Sequence, residues 1–153
     1  MELSTFGAIM GFASKRMGHS VDIYQAALER ARDPVLKEIF QTLLGEEKKN
    51  YSAMEQSRRE NVTEMILEPI TGLHQEDYEF DMKLSDQATD ADLLRMALNL
   101  EEKEKKFFDD SSAKVPLPEV TRIFRKIAQK KEKNLDKLKA FDLRILSSSV
   151  ETF

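Results

Sequence analysis

Apolar residues recur every three or four positions through four stretches of this chain, the spacing of helices with one buried face. The first stretch covers about residues 5–32, with Ile9, Ala13, Met17, Val21, Tyr24, Leu28 and Ala31 in the stripe. Asp33–Pro34 breaks the pattern and restarts it, since proline suits a first helical turn. The second stretch, 34–58, turns Leu36, Ile39, Phe40, Leu43, Glu47, Asn50, Tyr51 and Met54 inward. Thr89–Asp90, good capping residues, opens the third at 90–113, whose inward positions are Leu93, Leu94, Ala97, Glu101 and Phe108. "VPLPE" makes the next turn, and the fourth stretch, 117–146, buries Val120, Ile123, Phe124, Ile127, Lys131, Asn134, Leu135 and Leu138. Residues 147–153, "SSSVETF", read as a frayed tail, which leaves 1–146 as one domain.

Residues 59–89 connect the second and third stretches and are too apolar for a disordered linker. Ile66, Leu67, Ile70, Leu73, Tyr78, Phe80, Met82 and Leu84 call for packing along a bundle as a crossover. Two short-linked helical hairpins joined by one long crossover is the ferritin-like arrangement, so the expected fold is an all-α, antiparallel four-helix bundle of that type. The hairpins also repeat each other. An offset of 84 superposes Thr5 on Thr89, Ala13 on Ala97, Tyr24 on Phe108, Pro34 on Pro118, Ile39–Phe40 on Ile123–Phe124 and Lys49–Asn50 on Lys133–Asn134, without a gap. An internal duplication accounts for this register.

Composition narrows the chemistry. The chain has 153 residues, five Gly, four Pro and no Trp, which favours helices over strands. The absence of Cys excludes disulfides, thiol nucleophiles and Cys-ligated metals. A net charge of −4 does not mark the whole surface for nucleic acid. The apolar run Phe6–Ala13 follows Glu2 and precedes Lys15–Arg16, the wrong charge order for a secretory signal and too short for a bilayer. The expectation is a cytoplasmic protein with no membrane and no nucleic-acid partner.

Three segments, "IFQTLLGEEKKNYSAM", "ALNLEEKEKKFF" and "IFRKIAQKKEKNLDKL", resemble the rubrerythrin branch of the ferritin-like superfamily over about residues 5–145. The resemblance implies that each half offers a Glu from its first helix and a Glu-x-x-His from its second, together holding two irons for peroxide or oxygen chemistry. Carried onto this chain, the first-helix positions are Met17 and Glu101. The second-helix positions are Glu47 with Asn50, and Lys131 with Asn134. Glu47 and Glu101 are thus the remnant metal ligands. An asparagine offers iron only a carbonyl oxygen, and an ammonium repels a cation.

The resemblance therefore leads to a buried cluster of Glu47, Asn50, Glu101, Lys131 and Asn134, beside Met17, in place of a di-iron centre. No cofactor is expected; iron is the one the family would hold. The function that follows is a structural or interaction module without catalytic residues. The alternative is a di-iron or single-metal oxidoreductase using a shifted ligand set. Glu46, Glu102, Glu104 and Glu132 stand one to three residues from the ligand positions and are expected to point away from the core. His19 and His74 read as surface residues. A small-residue ridge on the first helix, Gly7, Gly11, Ser14 and Gly18, points to close helix approach, either in a homodimer or against the crossover. The basic face of the fourth helix, Arg122, Arg125, Lys126, Lys130, Lys133 and Lys137, reads as solvated surface.

Overall fold

A computed structural model describes residues 1–60, 69–80 and 84–151, with the helical backbone alone beyond residue 142. It is an all-helical bundle of α1 (Phe6–Arg30), α2 (Pro34–Glu60), α3 (Asp90–Ser112) and α4 (Pro118–Glu151), with a 3₁₀ turn at Gln75–Asp77 between α2 and α3. Among the described residues, no helix is long and apolar enough to cross a membrane.

The starts are set by local chemistry. The Thr5 hydroxyl accepts the Ala8 N–H at 3.0 Å, and Thr89 with Asp92 forms a reciprocal capping box. Asp33 Oδ1 accepts the N–H groups of Val35 (2.8 Å) and Leu36 (3.1 Å), which starts α2 directly after the break at Pro34. The repeat holds in three dimensions: α3 begins 84 residues after α1, and α4 begins 84 residues after α2. Asp90 then clamps the first turn of α3 to the α1–α2 connection, accepting from Arg32 N and Asp33 N at 2.9 Å each.

α1 packs chiefly on α2 and α3 chiefly on α4, and two apolar clusters close the bundle at its ends. One surrounds Phe12, Phe107, Phe108 and Phe124, whose rings meet at centroid separations of 5.1–6.3 Å. The other gathers Tyr24, Leu36, Phe40, Leu93 and Leu138. The crossover packs as its apolar content demands. Ile70, Leu73 and Tyr78 are buried in the first cluster, and Phe80 and Leu84 lie against the second. Ile66, Leu67 and Met82, also expected to pack, lie outside the described residues. Backbone bonds from Leu3 to Leu73 (2.7 Å) and from Ile70 to Ser4 (2.8 Å) fasten the N-terminal residues to the same segment. Arg16 and Arg30 hold its far end through the carbonyls of Phe80 and Leu84, at 3.0 Å each. The crossover thereby covers the seam between α1 and α3.

Three expectations differ from the structure. Tyr51 is 40% exposed rather than inward, because it lies over Gly18 at the rim of α1: a Cβ at Gly18 would stand 3.5 Å from the Tyr51 ring. The close approach at Gly18 is therefore made with α2 of the same chain. α4 continues helical to Glu151, beyond the end expected at 146, since no Gly or Pro interrupts "LRILSSSVE". The face of α1 around Gly11 is open, with nothing within 4 Å of a Cβ built there. Gly11→Ala is accordingly expected to stabilise the chain by about 0.5–1 kcal/mol through helix propensity, measured by urea denaturation. A destabilisation would mean that another surface closes on this helix.

Candidate functional site

Midway between the two apolar clusters, all four helices contribute a polar side chain to one layer. α1 supplies Ser20 and, one turn on, Tyr24; α2 supplies Glu47; α3 supplies Glu101 and Glu104; α4 supplies Lys131 and Asn134. Each follows helical spacing from core neighbours, Met17 before Ser20, Leu44 before Glu47 and Ala128 before Lys131, so the apolar stripes aim these groups inward. Burial is nearly complete: Glu47 and Glu101 are 0% exposed, and Glu104 and Lys131 1%.

Lys131 is the centre. Its Nζ hydrogen-bonds Glu47 Oε1 and stands 2.7 Å from Glu101 Oε2 and 2.6 Å from Glu104 Oε2, three N–H donors facing three carboxylates. Asn134 Nδ2 donates to Glu101 Oε1 at 3.0 Å and to Glu46 Oε2 at 2.7 Å, the latter at the margin of the bundle. The Ser20 hydroxyl donates to Glu104 Oε1. The fully buried Tyr24 hydroxyl faces Glu101 without reaching hydrogen-bond geometry, and Glu47 Oε2 has no hydrogen-bond partner among the described residues.

Three carboxylates and one ammonium would leave two excess negative charges in a dry core, which low-dielectric surroundings do not tolerate. Burial, reinforced by the charge of Glu104, pushes the Glu47 carboxyl well above the ordinary range. Burial pushes Glu101 up to about 7, against the pull of Lys131. Burial alone would lower Lys131, but the charges of Glu101, Glu104 and Glu47 outweigh it and hold the ammonium protonated. Burial and the same three acids likewise push the Tyr24 hydroxyl upward. At neutral pH the cluster thus keeps carboxylic protons beside a permanent cation, and its titration belongs to the group rather than to one residue.

Glu47, Glu101, Lys131 and Asn134 meet as their positions in the repeat imply. Asn50 does not join them: it is half-buried and makes no hydrogen bond to the cluster. Its counterpart Asn134 reaches Glu101, whereas the equivalent acceptor for Asn50 is Met17, a thioether 33 residues before it in α1. Met17 is fully buried in the apolar cluster instead. Glu104, expected to point away, is a full member. Three residues along a helix is only about 60° short of a full turn, so Glu104 shares the face of Glu101. Its signal was the same offset of 84, which pairs it with Ser20. Glu102, Glu132, His19 and His74 are exposed as expected. The contacts Ser20–Glu104 and Glu47–Lys131 each join a residue to its own repeat partner 84 positions on, which is what residues beside a pseudo-twofold axis do.

The donor set does not fit a di-iron centre. Glu47, Glu101 and Glu104 present carboxylate oxygens within 4.8 Å of one another, a spacing that suits one cation. The Lys131 ammonium already stands among those oxygens and has no lone pair to give a metal.

Two outcomes follow. Lys131→Ala strands three buried acids and is expected to cost about 3–5 kcal/mol, against under about 1 kcal/mol for Lys130→Ala, whose exposed ammonium stands 3.6 Å from the half-buried Glu46. Equal costs in urea denaturation would remove Lys131 from the core. Because the folded-state pKa of Glu101 lies above its unfolded value of 4.5, the folded chain binds more protons between pH 4.5 and about 7. Stability is present below that window and is lost as pH rises through it, and Glu47 shifts in the same direction. The melting temperature is expected to fall from pH 5 to pH 8 at constant ionic strength, with a shallower fall in Glu101→Gln. A melting temperature that rises over this range would contradict the assignment.

No protein-family model, no curated protein and no solved structure matches this chain, so the geometry itself carries the functional argument.

Proposed function

We propose that this chain is a ferritin-like bundle of the rubrerythrin type in which a lysine has taken the place of the metals. It acts as a structural or interaction module rather than as a redox enzyme. The observation that carries the reading is the Lys131 Nζ, 2.7 Å and 2.6 Å from two carboxylates and bonded to a third, at a position where the resemblance calls for a metal-ligating Glu. A covalently tethered monovalent cation gives the acids the partner they need, without redox chemistry and without exchange.

The chain path supports the ferritin-like part. Ser14 near the start of α1 bonds Glu55 near the end of α2, while Tyr24 near the end of α1 stacks 6.2 Å from Phe40 near the start of α2, as in an antiparallel hairpin. Asn134 with Glu101 and Phe124 with Phe108 pair α4 with α3 in the same sense. The crossover then runs back along the seam of α1 and α3.

A second reading, a single-metal oxidoreductase, draws on the three clustered carboxylates. It requires Lys131 to lose its proton or leave the layer, against the three acids that hold it. The deciding measurement is elemental mass spectrometry of protein made in iron-replete medium without chelator, followed by anaerobic ferrous addition and air. Substoichiometric iron, manganese and zinc with no new absorbance is expected. Close to two irons per chain would overturn the lysine-centred reading and direct attention to peroxide reduction.

A further inference from the structure

The bundle has two seams between its helix pairs, and they are finished differently. The α1–α3 seam is roofed by the chain's own crossover, with Leu73 and Tyr78 pressed into it. Along the α2–α4 seam lies an open groove of about 200 Å³, walled on α2 by Val35, Ile39 and Leu43 with Glu38 and Thr42 at its edge, and on α4 by Asn134 and Lys137. Val35 is 38% exposed, one of three large apolar residues left in solvent among those described. The groove has room for one large aliphatic or aromatic side chain.

From its Lys137 end a row of cations continues along α4, past the groove. Arg122, Lys126, Lys130, Lys133 and Lys137 are all exposed and follow one another at 4, 4, 3 and 4 residues. At 100° per residue they fall within roughly 80° of arc, over about 22 Å of helix. Only Lys130 is ion-paired among the described residues, at 3.6 Å from Glu46. Glu132 and Asp136 interleave with the row in sequence but fall about 80° and 40° outside its arc, which leaves Glu119 in the first turn of α4 as the acid within it. A chain with a net charge of −4 thus carries one concentrated positive stripe, along the edge of its open apolar seam.

We propose that the α2–α4 seam is a docking groove for an acidic amphipathic helix of a partner protein. Its apolar anchor would sit against Val35, Ile39 and Leu43, and its carboxylates would face the cation row of α4. Acids a turn apart on the incoming helix repeat at about 6 Å, the spacing of Lys126, Lys130 and Lys133 to Lys137 along α4. Nucleic acid would use the charges but leave the apolar groove empty. Among the described residues a second copy offers no such ligand: of the exposed Met1, Val35 and Tyr51, none has more than one solvent-facing acid a helical turn away. The inference deepens the interaction-module reading but is independent of metal content, so either result can stand without the other.

The test is fluorescence anisotropy on the full chain with a labelled synthetic helix of about 18 residues, bearing Glu at successive i, i+4 positions and Leu on the adjacent face. Two control helices replace its Glu with Gln or its Leu with Ala. Saturable binding that weakens at least tenfold, about 1.4 kcal/mol, with either control peptide or in the doubly substituted Lys133→Glu, Lys137→Glu chain is expected. These lysines are exposed, and a melting curve confirms that the doubly substituted chain is folded. Equal binding of the Ala control, or equally tight binding of poly-glutamate, would reduce the groove to a charge effect and overturn the proposal. Absence of saturable binding would overturn it as well. Concentration-dependent self-association in sedimentation, unaffected by the peptide, would assign the seam to a second copy instead.

Discussion

One ammonium in a dry core governs the rest of this structure. Lys131 reaches across from α4 to α2 and α3, and through Glu104 its network extends to Ser20 on α1. Burying an ion pair seldom adds much net stability, because desolvation consumes most of the Coulomb gain. What it imposes is register. Sliding any helix by one residue would swing its polar group about 100° out of the layer and leave the others uncompensated. The apolar clusters on either side tolerate small shifts far better, since aliphatic contacts are not directional.

The layer also records how two similar halves became unlike. Across the offset of 84, Met17 stands opposite Glu101, Ser20 opposite Glu104, and Glu47 opposite Lys131. The second half carries two acids and the base, while the first retains one acid. Each half alone holds a net single negative charge here if every group is ionised, and neither is balanced without protons. That shared deficit explains why burial drives Glu47 and Glu101 toward their neutral forms. Asn50 stays outside the network because the repeat puts Met17, with no acceptor oxygen, where its counterpart Asn134 has Glu101.

The two seams show the same asymmetry at the surface. A chain folded back on itself closes one side with its own apolar crossover and leaves the other as a shallow apolar groove edged by cations. The core layer and the open seam meet at Asn134, which lines the groove and hydrogen-bonds Glu101 within the cluster. Anything seated in that groove would lie one side chain away from the buried charges.

The helix starts at Thr5, Pro34, Thr89 and Pro118, the packed crossover and the repeat of 84 were all legible in the sequence, while the C-terminal reach of α4 was not. They depend on local capping and on period, which a single chain states directly. Glu47, Glu101, Lys131 and Asn134 were legible for the same reason, each lying in line with an apolar stripe. Glu104 was not, because spacing alone does not say how wide a buried face is. The answer depends on α1 presenting Ser20 opposite it. Nor could spacing show that Asn50 would find no acceptor, that Gly18 would make room for Tyr51, or that one seam would be roofed and the other open. Those outcomes are settled between helices, by which side chains from distant parts of the chain arrive at the same place. The sequence by itself determined four amphipathic helices in two matched pairs. Only the tertiary structure decided that three acids would converge on a single lysine, because a buried charge is stable only where its partners meet it.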